Sequence, residues 1–331
     1  MKLLSTLLVL SAVFASSNQA TNVHEIPGHN HDELCQGFLP QNTLWIEADQ
    51  KSRFTGIDEA QFNAVISEIE AVYAPIIASR GGTLQINRKW TDGTVNANAS
   101  RSGSTYVVNM YGGLARHKAI TADGFALVLC HEIGHHIGGA PTYSSGAGGG
   151  WGGGSNSDRN IVGNAWASNE GQSDYFATAK CFRNVYGSQD NSAYVNAETP
   201  EYVAKTCKAS FPNSDDYKLC VRSSAGGQSL ANLFKDLRNL QVPVTFQTPD
   251  TKVVTKTYDG HPQPQCRLDT YFRGTICTAD ERVDLGYDDH SVGACTADRG
   301  EEKGARPLCW YKVQEIKEQQ PETKNPIAYR R

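Results

Sequence analysis

Residues 131–136 read HEIGHH, which sets two imidazoles four positions apart with a carboxylate directly after the first. On a helix, positions i and i+4 share a face, so His131 and His135 can reach one metal ion while Glu132 projects beside it. Zinc bound by neutral imidazoles lowers the pKa of its ligated water to near 7. A carboxylate next to that water can take its proton as the oxygen attacks a carbonyl. The spacing therefore fits metal-assisted hydrolysis with Glu132 as base. The competing reading is a helix with incidental histidines.

A catalytic zinc needs a third protein ligand and one open position. One known pattern places a third histidine six residues after His135, with glycine at 138; Gly138 is present, but position 141 is Pro141. The other pattern takes a glutamate from a following helix. Residues 169–174 read NEGQSD, offering Glu170 as the ligand, Asn169 beside it, and Asp174 one turn later on the same face. Asp174 can then accept the N–H of a zinc-bound histidine, expected to be His131, and so fix its tautomer. The expected cofactor is one Zn2+ per chain.

HEIGHH followed by Glu-x-x-x-Asp on a second helix resembles the gluzincin zinc peptidases. Residues 261–268, HPQPQCRL, are similar to the His-Pro-x-x-x-x-Arg-hydrophobic signature downstream of the zinc site in the family of HtpX, Oma and the CAAX prenyl endoprotease. Residues 106–114, YVVNMYGGL, look like that family's strand and loop before the active helix. The likeness runs over about residues 100–270. It implies an endopeptidase with zinc at His131, His135 and Glu170, and Glu132 as base. It also implies that His261 and Arg267 lie near the site, with His261 polarising the carbonyl or meeting the metal; the mechanism these positions suggest has zinc and either His261 or Arg267 meeting the charge of the developing oxyanion. Many members of the family are multi-pass membrane proteins, so the closer analogy is a soluble exported branch. Gly260 stands where the family often has Thr, and the Cys-rich end is outside the pattern.

The motifs need elements to hold them. From Asp58, the apolar residues Phe62, Val65, Ile66, Ile69, Val72, Tyr73, Ile76 and Ile77 recur at helical spacing, with Pro75 as a kink point and Gly81-Gly82 as a stop. Residues 83–90, 94–99 and 104–111 are rich in β-branched and aromatic side chains, with a turn at Asp92-Gly93, and predict a small antiparallel sheet. If the strand at 104–111 is an exposed edge, an extended substrate can add to it. Thr121 or Asp123 can cap the HEIGHH helix, which Gly138-Gly139 and Pro141 end. A second long helix is expected over 163–186 and further helical segments to about Leu240, after which the chain reads as extended. Residues 144–155 are a Gly-rich loop. The fold class is thus α+β: a zincin-like catalytic domain over 51–240 and a Cys-rich part over 241–312 completing the cleft, with a charged tail over 313–331.

Composition narrows the class of protein. The 331 residues carry 31 Lys and Arg against 35 Asp and Glu, a net charge of −4. No overall positive field gathers phosphates, which argues against nucleic acid as the main partner. Lys2 followed by the apolar residues 3–15 reads as a secretory signal within 1–20, cleaved near Ala15 or Ala20; the run is too short for the ~20 residues of a membrane span. The mature chain is expected to be exported, periplasmic or secreted, with no integral span. Residues 21–50 read as an N-terminal arm, whose His24, His29, His31 and Cys35 raise the question of whether it masks the metal.

All nine cysteines lie after the signal, in a compartment where disulfides persist. An odd count leaves one unpaired, and Cys130, inside an apolar helical run, is the expected free thiol. The expected pairs are Cys266 with Cys277, Cys295 with Cys309, and Cys207 with Cys220. No heptad or long apolar stripe stands out from which an oligomeric state could be read. Taken together, these features predict an exported zinc endopeptidase acting on a polypeptide. The alternatives are a non-catalytic zinc-binding chaperone or assembly factor of the cell envelope, and a metal-free disulfide-stabilised binding domain.

Overall fold

The computed structural model describes residues 37–49, 56–143 and 166–313. The proposed signal, most of the arm with its three histidines and Cys35, the Gly-rich loop at 144–155 and the tail beyond 313 lie outside the described residues.

Helix α1 (Glu59–Ser79) starts at a capping box: the Gln61 N–H donates to Asp58 Oδ1 at 2.8 Å, and the Asp58 N–H donates to Gln61 Oε1 at 3.1 Å. Its inner face is the expected stripe, with Phe62, Ile66, Ile69 and Ile77 fully buried. Three strands come next, β1 (Thr83–Lys89), β2 (Ala97–Ser102) and β3 (Thr105–Tyr111).

The sheet corrects the expectation of an all-antiparallel arrangement. Its order is β1-β3-β2, with β3 parallel to β1 and antiparallel to β2. The stretch after Asp92 does not return along β1. It pairs instead with residues 38–46, through Ile46 N–H to Gly93 O at 2.8 Å and a Trp45–Thr94 bridge, which leaves room for β3 in the middle. β3 is therefore the central strand and cannot accept an added peptide; β1 and β2 form the two sides.

A short helix α2 (Gly112–Arg116) leads to α3 (Ala122–Ile137), whose Thr121 cap accepts from the Gly124 N–H at 3.1 Å. Apart from its first residue α3 is buried on every side, the pattern of a central core helix rather than a surface one. The second site helix begins at Glu170, with Asn169 as its cap, and runs as α4 (Glu170–Phe176), a π turn (Ala177–Cys181) and α5 (Phe182–Tyr186). Helices α6 (Glu201–Ser210) and α7 (Ser214–Leu237) then appear as expected.

The chain after Leu240 is not simply extended. The HPQPQCRL segment opens α8 (Pro264–Thr275), with Pro264 in the first turn, where a missing N–H costs nothing. α8 packs on α4 and α7, and the main core takes in Tyr271, Leu285 and Ala294 from this region. Among the described residues no helix is long and apolar enough to cross a membrane.

Four disulfides join Cys130 with Cys181, Cys207 with Cys220, Cys266 with Cys309, and Cys277 with Cys295. Only the pair 207–220 matches expectation. Cys130 is not a free thiol: it faces the π turn of the neighbouring helix, a contact that periodicity along one helix cannot reveal. The 130–181 bond staples α3 to the helix that carries Glu170. Paired alanines at Cys130 and Cys181 should cost about 2–5 kcal/mol, measured as a lower urea midpoint; a shift worth under about 1 kcal/mol would contradict this structural role.

Candidate metal centre

Two helices bring the ligands together. α3 carries His131 and His135 on one face, and α4 lies against it at Gly134, where an added Cβ would sit 3.1 Å from the Ser173 Cα and 3.0 Å from the Phe176 ring. Glycine at 134 thus sets the close approach that lets Glu170 reach both histidines. Nitrogen and oxygen donors of His131, His135 and Glu170 all lie within 4.8 Å of one another, and all three residues are buried. The group could hold a metal ion. The other such cluster among the described residues, Asp250 with Cys266 and Cys309, is a disulfide beside a carboxylate.

The hydrogen-bond inventory supports that reading. His131 Nε2, His135 Nε2, Glu170 Oε2 and both oxygens of Glu132 are buried with no hydrogen-bond partner among the described residues. Buried polar atoms left unpaired cost about 1–3 kcal/mol each, so five converging in one pocket call for a ligand. A cation would satisfy the three donor atoms, and a water beside it would satisfy Glu132. The residues fit a divalent ion of the type that imidazole and carboxylate bind.

Both histidines are held in the ligating tautomer from behind. His131 Nδ1 donates to Asp174 Oδ1 at 2.7 Å, and His135 Nδ1 donates to the Ser168 carbonyl at 2.8 Å, so that Nε2 of each ring is the nitrogen turned to the pocket. Glu170 Oε1 accepts from the Tyr143 hydroxyl at 2.7 Å, while its Oε2 lies 3.3 Å from His131 Nε2. Asn169 caps α4 through the Gln172 N–H at 2.9 Å and donates to Asp259 Oδ1 at 3.2 Å. Its part is to fix where Glu170 starts.

His261 and Arg267, far off in sequence, arrive with α8. His261 is buried, and its Nε2 stands 3.4 Å from Glu170 Oε2 and donates to the Gly37 carbonyl at 2.8 Å. Arg267 is placed behind the ligands. Its Nε and Nη2 fork onto Asp174 at 2.8 and 2.7 Å, and its Nη1 donates to the Phe38 carbonyl at 2.8 Å. All its nitrogens are thus engaged away from the pocket, so the geometry makes it a positioning residue acting through Asp174 on His131. Sequence reading missed Tyr143, Ser168 and Tyr271, whose hydroxyl also donates to Asp174. A lone tyrosine or a backbone carbonyl carries no motif; only Tyr271 sat at a legible spacing, one turn beyond Arg267.

Charge is set by burial and these contacts. Burial opposes protonation of His131, but Asp174 and Glu170 outweigh it and raise its pKa to about 9. Burial holds His135 neutral, down to about 4, with Glu170 opposing. Burial pushes Glu132 up to about 8, against the pull of His131. Burial also works against ionised Glu170 and Asp174, yet the histidines around Glu170 and the Arg267 guanidinium beside Asp174 hold both below the usual carboxylate range.

A metal must displace the His131 proton. Below pH 9 the metal-free site carries that proton and the bound site does not, so affinity should rise with pH and flatten above about 9. The His131 proton alone gives about tenfold per pH unit between 6 and 8, and the slope is steeper where Glu132 also loses its proton. Zinc titrations in buffers of different ionisation enthalpy should show at least one proton released per ion, from His131, with a further contribution from Glu132 below about pH 8; pH-independent affinity without release would contradict it. Comparison of the chain with protein-family models, curated proteins and solved structures found no match.

Proposed function

We propose that this chain is an exported zinc-dependent endopeptidase. One observation carries the reading: Glu132, fully buried beside the ligand group, has two carboxylate oxygens with no hydrogen-bond partner among the described residues. A site that only binds a cation through His131, His135 and Glu170 has no use for a second carboxylate left without a hydrogen bond beside them. A bound zinc would supply Lewis acidity, bringing a ligated water toward a pKa near 7 and polarising a carbonyl. Its ligands would be His131, His135 and Glu170.

The chain's own residues do the rest. Glu132 takes the proton of the attacking water and delivers it to the leaving amine. His261 Nε2, already donating to one backbone carbonyl beside Glu170, is a donor for the developing oxyanion. Asp174, gripped by Arg267, keeps His131 oriented. The resemblance to the HtpX, Oma and CAAX prenyl endoprotease family supports the same assignment. Four disulfides support an oxidising, exported setting.

The test is cleavage of unfolded casein by the zinc-loaded chain, assayed intact and after its N-terminal segment has been cut away at residues 41–43. Cleavage that stops with a chelator and returns with zinc is expected. A loaded protein that binds casein without cutting it would move the weight to a chaperone or assembly factor.

A further inference from the structure

The metal centre is covered by the protein's own chain. Phe38 is fully buried, its ring edge-on to the His131 ring at 5.1 Å and 4.5 Å from the Arg267 guanidinium carbon. Residues 37–39 lie in the groove between β2 and α8, and nearly every backbone polar group there is paired. The Gly37 carbonyl accepts from His261 Nε2 at 2.8 Å, the Phe38 carbonyl accepts from Arg267 Nη1 at 2.8 Å, and the Phe38 N–H donates to the Ala97 carbonyl at 2.8 Å. Asn96 takes both backbone groups of Leu39, at 2.9 and 3.2 Å.

This is how a peptide is held on a sheet edge: main-chain bonds give the affinity and one side chain fills a pocket. The groove also has space beside its occupant. A cavity of about 130 Å3 borders the segment, lined by Leu39, Pro40, Asn42, Phe234, His261 and Arg267. The donors that grip the segment are the two residues of the HPQPQCRL motif that stand next to the metal ligands.

The next residues along the chain are held far less firmly. Leu44 and Trp45 rejoin the stretch at 94–95, but residues 40, 41 and 43 are exposed, and no backbone–backbone hydrogen bond ties residues 41–43 to other described residues; Asn42 Nδ2 reaches the Val95 carbonyl at 3.3 Å. Exposed backbone without such ties is where peptidases nick folded proteins. The eight cysteines 130–309 pair among themselves, so no disulfide within that set tethers the N-terminal segment.

We propose that residues 37–39 block the metal centre from within, and that residues 41–43 are the site at which a peptidase cuts to release them. The cut is ordinary hydrolysis: one peptide bond breaks, water's hydroxyl goes to the new carboxyl group and its hydrogen to the new amine. The inference rests on the metal-site reading, and its main readouts do not need the chain to be a peptidase.

The experiment inserts a thrombin recognition sequence between Gln41 and Asn42 of the full chain and compares intact with cut protein. The first readout is binding of a fluorescent peptide of residues 36–41, which the cut chain should take up one to one and the intact chain at least tenfold more weakly. The second is transfer of zinc to a coloured chelator, which should be at least tenfold faster after cutting and slow again when the peptide is added. A Phe38→Ala peptide should do neither.

A second variant covers the case in which the cut chain unfolds. Gly37 has φ of +85°, and a Cβ there would sit 2.8 Å from the Ala97 carbonyl, so Gly37→Val should dislodge the segment in the uncut chain and speed zinc transfer. Equal peptide binding and equal zinc transfer in cut and intact chains would overturn the proposal. So would an unfolded cut chain together with an unaltered Gly37→Val. Faster zinc transfer and peptide binding without casein cleavage would uphold the block and remove the peptidase reading instead.

Discussion

Replacing Glu132 by Gln should leave zinc content at one per chain and lower casein cleavage by about 10²–10⁴-fold. The two halves of this result have separate causes. The ligand donors belong to His131, His135 and Glu170, and Glu132 is not among the atoms that cluster within 4.8 Å, so the metal should stay. The amide of Gln fills the same volume but cannot accept a proton from water. Cleavage would be read by fluorescent casein after release of the N-terminal block, and zinc by elemental analysis of the same sample. A Gln variant that cuts as fast as the parent would remove Glu132 from the chemistry, whatever the metal does.

Arg267→Ala should be among the most costly single changes in the chain. Arg267 and Asp174 form a forked ion pair buried at 3% and 0% side-chain exposure. Removing one partner of such a pair leaves an uncompensated buried charge and costs about 3–5 kcal/mol. Asp174 would keep the His131 N–H and the Tyr271 hydroxyl, but lose the cation that holds it ionised. Its grip on His131 would weaken, so zinc affinity should fall by about 10–100-fold as well. Arg267→Lys should recover part of the stability but little of the affinity, because a single ammonium cannot reproduce the fork. Urea unfolding of the metal-free chain and zinc competition titrations would check the two effects separately. A stability loss under about 1 kcal/mol with unchanged affinity would contradict the positioning role.

The site was more legible than the fold around it, for a physical reason. Residues three and four apart on a helix are neighbours by geometry alone, so His131, His135, Glu170 and Asp174 could be read as one ligand set with its supporting carboxylate. Helix starts were legible for the same reason, since Asp58 and Thr121 bond backbone groups three residues on. Whatever depended on distant partners was not. Strand composition at 83–111 predicted three strands but could not tell that residues 38–46 would claim the stretch after Asp92 and leave β3 in the centre. Cysteine positions could not show that Cys130 faces Cys181 across two helices. The two prolines of HPQPQCRL suggested extended chain, whereas Pro264 opens α8 in the one place a helix accepts it. The burial of Gly37 and Phe38 over the ligands left no local trace, because a short apolar triplet in a polar stretch has no period to read.

The central claim is that His131, His135 and Glu170 hold one metal ion. The most direct measurement is zinc per chain by elemental analysis of the purified mature protein, beside Glu170→Ala prepared in the same way. One tightly held zinc in the parent, lost or held at least tenfold more weakly in the variant, is the expected result. A parent that takes up no zinc after reconstitution, or a variant that holds it equally well, would contradict the assignment.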